Sequence, residues 1–240
     1  MKSLKEVLLE KLENANVAQT AAEEYINDNY FITGHLTYEN VNGVCVVNCN
    51  GYIEVKNYKI LKLADGFEWG KVKGWFDCSH CNKIKSLEGA PKEVGGDFKC
   101  VSCKNLESLE GAPKKVRGSF DCSYCENLKS LEGIPKRIEG NFNCSYCYSL
   151  TSLKGAPRKI DGNFRCSSCL ELNSLEGAPE NVGGNFECRG CVKLTSLKGA
   201  SKTIVAGKFD CRGCPLTSMV PGPRMVGSII SDINSGPRIA

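Results

Sequence analysis

Seven pairs of cysteines, each pair separated by two residues, are the part of this sequence best suited to chemistry. They are Cys78/Cys81, Cys100/Cys103, Cys122/Cys125, Cys144/Cys147, Cys166/Cys169, Cys188/Cys191 and Cys211/Cys214. Most successive pairs have 18 residues between them, which lies within the spacing of four-thiolate zinc sites. Zinc binding is therefore one interpretation of the pattern, and it depends on the elements that position the thiols.

Those elements are the copies of a repeat, exemplified by FDCSYCENLKSLEGIPKRIEGN at 120–141. Its phenylalanine recurs every 22 residues from Phe76 to Phe186, and Phe209 follows one residue late. Phe98 and Cys100 alternate with polar residues, which predicts a short strand with one buried face. A proline in the second half of most units excludes a regular helix there. Each unit should therefore hold a strand, a turn and an irregular or extended return segment.

A glycine stands two residues before each repeat phenylalanine, as Gly96 does before Phe98. Glycine at this position suits either a turn with positive φ or close contact between neighbouring coils.

This pattern resembles the leucine-rich repeat, whose frame is L-x-x-L-x-L-x-x-N/C-x-L. Phe98 and Cys100 occupy the inward strand positions, Cys103 occupies the Asn/Cys position, and Leu106 comes one residue late, as in the cysteine-containing subtype. The phrase SLEGAP-x-x-V-x-G-x-F is also similar to short repeat arrays of tailed bacteriophages and, more loosely, to short-repeat bacterial effectors. The resemblance implies a solenoid over about 76–230, and members of such families bind unrelated partners.

The repeat favours a buried ladder of thiols over a metal site. Seven pairs leave one unmatched if zinc sites form pairwise, a zinc ribbon does not need the regular Phe, Leu and Val positions, and the leucine-rich frame gives every cysteine a place without metal. We expect no metal and no cofactor. Disulfides within a pair remain the least favoured alternative, since a reducing cytosol opposes them.

The rest of the chain is divided by its departures from the repeat. Residues 1–35 are predicted to form a helical N-terminal cap of two short helices joined near Asn14–Asn16, with capping boxes at Ser3/Glu6 and Thr20/Glu23. Residues 36–75 are predicted to hold divergent first repeats, with Val41, Gly43 and Cys45 aligned to Val94, Gly96 and Phe98. The array covers 76–230, the tail SIISDINSGPRIA, which begins at Ser228, is predicted to supply a final strand, and a closing segment follows at 231–240. A separate interaction helix is the alternative for the N-terminus.

The outward strand residues are predicted to form columns on one face of the sheet, where the sequence varies more than in the core. The first column is Trp75, Asp97, Ser119, Asn141, Asn163, Asn185 and Lys208. The residues that we predict to bind a partner are His80, Asp77, Lys99, Asp121, Tyr124, Asn143, Tyr146, Arg165, Glu187, Arg189 and Arg212. Tyr124 and Tyr146 are the best anchors, because tyrosine offers contact area at low entropic cost. The alternative is an ordinary solvated face.

A second surface follows the prolines of the return segment. Stacking would align its cations into a basic ridge, which consists of Lys114, Lys115, Lys136, Arg137, Arg158 and Lys159. A solvated edge is the favoured interpretation, because acidic residues on the same side dilute the charge. Docking to nucleic acid or to an acidic protein is the alternative and would depend steeply on salt.

Composition narrows the function classes. The net charge is only +4 among 240 residues, and no apolar run approaches the ~20 residues of a membrane helix. Without a signal-peptide pattern at the start, a cytoplasmic location is expected.

The two histidines, His35 and His80, suggest no catalytic constellation, so we expect a non-enzymatic protein-binding scaffold. The resemblance of the repeat phrase to phage arrays implies a phage or bacterial inhibitor or adaptor that binds a host cytoplasmic protein, with a defence protein as one candidate. Nucleic-acid association through the ridge and end-to-end assembly into a structural oligomer are the other two hypotheses.

Overall fold

A computed structural model describes residues 4–219, 222–225 and 227–232, with side chains for 14–219, 222–224 and 227–232. The chain is a solenoid of stacked coils that begins with one helix. In this part of the chain, no helix is long and apolar enough to cross a membrane.

The N-terminal helix, α1, is continuous from Leu4 to Asn29, so the prediction of two helices joined near Asn14–Asn16 is wrong. The segment contains neither proline nor glycine, and asparagine lowers helix propensity without stopping a helix. Thr20 does not cap a second helix, because its hydroxyl donates to the Asn16 carbonyl one turn earlier, at 3.0 Å. Ser3 lies outside the described residues. Ala22 and Ile26 bury their side chains against the first strands.

Within the described residues, twenty short strands follow the helix and form three sheets. The ten-stranded sheet contains β1 (Tyr30–Ile32), β4 (Ile53–Val55), β6 (Phe76–Asp77), β8 (Phe98–Lys99), β10 (Phe120–Asp121), β12 (Phe142–Asn143), β14 (Phe164–Arg165), β16 (Phe186–Glu187), β18 (Phe209–Asp210) and β20 (Ile229–Ile230). Its strands from β4 onward are parallel, and β1 is antiparallel to β4. The nine parallel strands therefore enclose eight turns of the solenoid.

The return segments form two further sheets of five strands each. The first contains β2 (Leu36–Val41), β3 (Val44–Cys49), β5 (Glu68–Val72), β7 (Glu93–Val94) and β9 (Lys115–Val116). The second contains β11 (Arg137–Ile138), β13 (Lys159–Ile160), β15 (Asn181–Val182), β17 (Ile204–Val205) and β19 (Arg224–Met225). The segments are therefore extended and hydrogen-bonded rather than irregular, except between β9 and β11, where the ladder is interrupted.

The core is a set of side-chain ladders, one residue per coil. Phe76, Phe98 and the later repeat phenylalanines are fully buried and contact each other with ring centroids 4.7–5.7 Å apart. The repeat cysteines, leucines and Val/Ile positions are buried beside them. Each coil covers the apolar face of its neighbour. Residues 22 positions apart are therefore paired in adjacent strands, so the repeat length sets the strand register.

The predicted alignment of 36–75 with the repeat is wrong by eight residues. A hairpin of β2 and β3, which turns at Asn42-Gly43 with positive φ at both residues, occupies the segment that contains Val41, Gly43 and Cys45. Instead, Cys49 pairs with Val72, which pairs with Val94, and Ile53 pairs with Phe76. The first coil therefore starts at Ile53 and has no cysteine pair. The mistaken alignment matched a hairpin glycine to the repeat glycine.

The repeat glycines before each phenylalanine serve close contact rather than a left-handed turn. A Cβ on Gly162 would lie 2.6 Å from Asn141 Oδ1 and 2.7 Å from the Gly140 carbonyl oxygen. Gly118 and Gly184 are confined in the same way by the preceding coil, and all three lack the positive φ found at Gly111 and its equivalents.

At the C-terminal end, β20 pairs with β18 in register, as the prediction of a final strand requires. Val226 and residues 233–240, which include most of the predicted closing segment, lie outside the described residues.

Candidate functional site

We define the strand face as the solvent side of the ten-stranded sheet. Strand pairing places seven outward residues side by side, one per coil, and these are Asp77, Lys99, Asp121, Asn143, Arg165, Glu187 and Asp210. The charges therefore stand next to one another at the ~4.8 Å spacing of neighbouring strands. Six of them belong to the predicted partner-binding set, and Asp210 completes the column.

The first predicted column is not a free binding surface. Its five central side chains, from Asp97 to Asn185, are half-buried, and each accepts a hydrogen bond from the backbone of the next coil, whereas Lys208 is exposed. Asn141 Oδ1 accepts from the Asn163 N–H at 2.8 Å, and Asn163 Oδ1 accepts from the Asn185 N–H at 2.7 Å. Asp97, Ser119 and Asn185 make equivalent contacts. These residues form a polar ladder that fixes the stacking of the coils.

The residues beside the strand ends have left-handed backbones. His80, Ser102, Tyr124, Tyr146 and Ser168 have φ between 55° and 64°, where bulky side chains are rare. Tyr124 and Tyr146 stack on each other with centroids 4.3 Å apart and rings 6° from parallel. The stack leaves 43% of Tyr124 exposed. His80 contacts the ring of Tyr58 rather than a cysteine thiol.

Sequence reasoning missed an apolar stripe next to these tyrosines. The residue after the second cysteine of each pair is Tyr148, Leu170 and Val192 in three successive coils. Leu170 is 40% exposed, Val192 is 56% exposed, and Tyr148 is half-buried. The signal was present in the sequence, since the same offset holds Asn82, Lys104 and Glu126 in earlier units. A second missed pair is Tyr52 and Trp75, whose stacked rings lie 4.2 Å apart at the N-terminal end of the face.

The charges at the C-terminal end of the strand face pair with each other. Arg189 Nε lies 2.7 Å from Asp210 Oδ2, and Arg212 Nη2 also lies 2.7 Å from that oxygen. Arg165 contacts Glu187 at 3.5 Å. Burial alone would raise the pKa of Asp210, but hydrogen bonds from Arg212 and the charge of Arg189 more than offset it, so the pKa is lowered. These predicted contact residues therefore hold each other in place.

The centre of the strand face contains a shallow polar depression of about 220 Å³. Asp97, Lys99, Asp121, Asn143 and Arg165 line it, together with Ser119 and Asn141. The side chain of Asn143 makes two hydrogen bonds here. Its amide donates to Asp121 Oδ2 of the preceding coil at 3.2 Å, and its oxygen accepts from the Ser145 N–H of its own coil. The depression thus combines two carboxylates with two cations.

Half of the cations of the basic ridge pair with carboxylates of the same or the next coil. Arg137 and Lys159 share Asp161, and Arg158 pairs with Glu180. The Arg137 guanidinium lowers the pKa of Asp161. Lys114, Lys115 and Lys136 make no ion pair with another described residue. The ridge is therefore a mixed-charge edge, which does not favour the nucleic-acid hypothesis.

The sixteen cysteines are all buried free thiols. The second cysteine of a pair donates to the carbonyl of the first cysteine one coil earlier, as Cys147 does to Cys122 at 3.3 Å. Burial raises the pKa of Cys81 to about 12, helped by the charge of Asp77. In the described part of the chain, no three His, Cys, Asp or Glu residues are grouped to hold a metal ion. The thiols contribute to packing here, and the absence of metal stays a prediction.

Comparisons with models of protein families, with curated proteins and with solved structures find no match to this chain.

Proposed function

We propose that this protein is a non-enzymatic binding scaffold that holds a protein partner on its strand face. The observation that carries the proposal is the contrast between the two sides of one sheet. In the ten-stranded sheet, every strand from β6 to β18 buries a phenylalanine at the same position, whereas the outward residue beside it changes from coil to coil, as at Asp77, Lys99 and Asn143. A constant core under a varied surface is what a binding face on a repeat scaffold requires.

The size of the strand face suits a protein partner. Nine parallel strands at ~4.8 Å spacing span about 40 Å, which is comparable with the footprint of a standard protein–protein interface. Aromatic side chains at Tyr52, Tyr58 and Tyr124 are exposed along it, and tyrosine is enriched at such interfaces.

The chemistry of the thiols supports a role without catalysis. A nucleophilic cysteine must be accessible and easily ionised, but Cys78 and Cys81 are fully buried and burial raises the pKa of both. His80 is exposed and turned toward Tyr58. These cysteines and His80 therefore do not form the nucleophile and base of a hydrolase.

We extend the proposal by analogy to the type of repeat and to the partner. The C-x-x-C-x-x-L frame resembles the cysteine-containing leucine-rich repeat, and the SLEGAP phrase resembles arrays of tailed phages. On that resemblance, the protein acts as a phage or bacterial inhibitor or adaptor, and its partner is a host protein of the cytoplasm.

Site-specific photocrosslinking in a bacterial lysate tests the use of the strand face. A photoreactive residue replaces Asn143 on the strand face or, as the matched control, Glu132 on the return edge. We expect crosslinked partner with the Asn143 variant, less of it after Tyr124→Ala/Tyr146→Ala, and none with the Glu132 variant. Crosslinking from position 132 alone would overturn the proposal.

A further inference from the structure

The strand face is electrically divided along its length. Its N-terminal half contains Glu54, Asp77, Asp97 and Asp121, and none of these carboxylates makes an ion pair with another described residue. The cations among them are Lys99, whose ammonium lies 5.9 Å from the centre of the Trp75 ring, and Lys56, whose ammonium lies 5.6 Å from the centre of the Phe31 ring beside Glu54. The C-terminal acids, Glu187 and Asp210, are instead paired with arginines. An excess of negative charge therefore remains in the N-terminal half of a protein whose net charge is +4.

Where the acidic half ends, an aromatic platform begins. Tyr124 lies in the coil of Asp121, and its stack with Tyr146 ends at the small residues Ser102 and Ser168, which occupy the equivalent positions on either side. No further ring therefore extends the stack. Both tyrosines keep a left-handed backbone that glycine has at Gly190 and Gly213. Packing of the coil interior does not require a tyrosine at this left-handed position, because the other coils have small or polar residues at the equivalent position.

The apolar stripe continues the platform toward the C-terminus. The half-buried Tyr148 and the exposed Leu170 and Val192 follow one another in adjacent coils, so their side chains lie about 5 Å apart. From Asp77 to Val192 the surface crosses six coils, or about 24 Å. An extended peptide of about seven residues covers that distance.

Resting on the proposed function, we propose that this surface binds an extended segment of the partner that carries arginines at one end and apolar side chains at the other. The guanidinium groups lie against Asp77 and Asp121 and over the Tyr124 ring, because arginine pairs with carboxylates and stacks on aromatic faces. The apolar side chains cover Leu170 and Val192, which removes their exposed area from water.

Selection from a random library of displayed twelve-residue peptides on the immobilised full-length protein tests the chemistry. We expect enrichment of sequences that combine arginine with aromatic or aliphatic residues. On Asp77→Asn/Asp121→Asn protein, arginine enrichment should disappear. It should persist on Glu88→Gln/Glu110→Gln protein, which changes net charge equally but on the exposed return edge. Enrichment of acidic or uncharged sequences, or no enrichment at all, would overturn the inference.

A selected peptide then separates the two contacts by fluorescence anisotropy. Replacing its arginines with citrulline, which keeps the shape and removes the charge, should weaken binding about tenfold, and raised salt should reproduce part of that loss. Leu170→Ser/Val192→Ser protein should weaken binding by a similar factor at all salt concentrations. Equal affinity of the citrulline peptide would refute the arginine assignment. A partner that still crosslinks at position 143 would leave the proposed function intact in that case.

Discussion

At the scale of single residues, the solenoid depends on side chains that reach from one coil to the next. Asn141 is polar and lies on the outward side of its strand, yet it binds the backbone of the following coil. Gly162 has no side chain because that same amide and the Gly140 carbonyl occupy the space. Sequence alone showed that both residues recur, whereas their contact became visible only in the stacked structure.

The confinement of Gly162 gives a stability prediction. Gly162→Ala should lower the free energy of unfolding by about 2–4 kcal/mol, because the new methyl group would lie 2.6 Å from Asn141 Oδ1 in a rigid backbone setting. Gly43→Ala is the control, since its Cβ would meet no atom within 4 Å and only its φ of 86° opposes alanine, at about 1 kcal/mol. Urea denaturation measures both. A smaller loss at position 162 than at position 43 would contradict the steric explanation.

At the scale of elements, stacks of identical buried side chains stabilise sheets whose strands are very short. Strands of two residues are too short to be stable alone, so buried phenylalanines, leucines and thiols hold them together. The alternation of Phe98 and Cys100 predicted which residues point inward, and burial confirms it. The extended return strands were only partly foreseen, because two-residue strands leave no periodic signal that differs from a loop.

The thiol ladder predicts a loss of stability at high pH. The pKa of Cys81 rises from 9.0 to about 12 on folding, so the folded state holds its proton while the unfolded state loses it. The contribution of this thiol is therefore complete below pH 9 and declines as pH rises from 9 toward 12, by about 1.4 kcal/mol per pH unit. Urea denaturation of reduced protein and of Cys81→Ala at several pH values measures the difference, which should narrow in that window. Parallel stability curves would show that burial does not hold the proton.

At the scale of the whole molecule, coils contact mainly their neighbours, so stability is a sum of local terms. The N-terminal end is covered by α1, β1 and the β2–β3 hairpin, and Tyr30 of β1 contacts Trp69 of β5. This arrangement agrees with the predicted cap, although the helix is one element rather than two. Damage to the cap should therefore open the first coils before it reaches the last ones.

Two substitutions on α1 test that expectation. Ile26→Asp places a charge at a side chain that is 2% exposed and should cost about 3 kcal/mol or more. Val17→Asp, on the same helix at 70% exposure, should have little effect. Hydrogen exchange should show faster exchange in the first coils of Ile26→Asp protein, while the coils around Phe164 and Phe186 keep their protection. Uniform loss of protection would mean that the solenoid unfolds as one unit.

The sequence by itself determined the solenoid and, from Phe76 to Phe209, its core residues and strand register, because the regular spacing of buried phenylalanines permits only one way of stacking there. It also predicted the adjacent positions of Tyr124 and Tyr146. Only the tertiary structure decided which outward residues remain available to a partner. In the sequence, Asn163 and Arg212 are both polar residues at outward positions. In the structure, Asn163 accepts a hydrogen bond from the backbone of the next coil, whereas Arg212 pairs with Asp210. The sequence does not give the interatomic distances on which these contacts depend. The same distances leave Asp77, Asp121 and the tyrosine stack facing solvent.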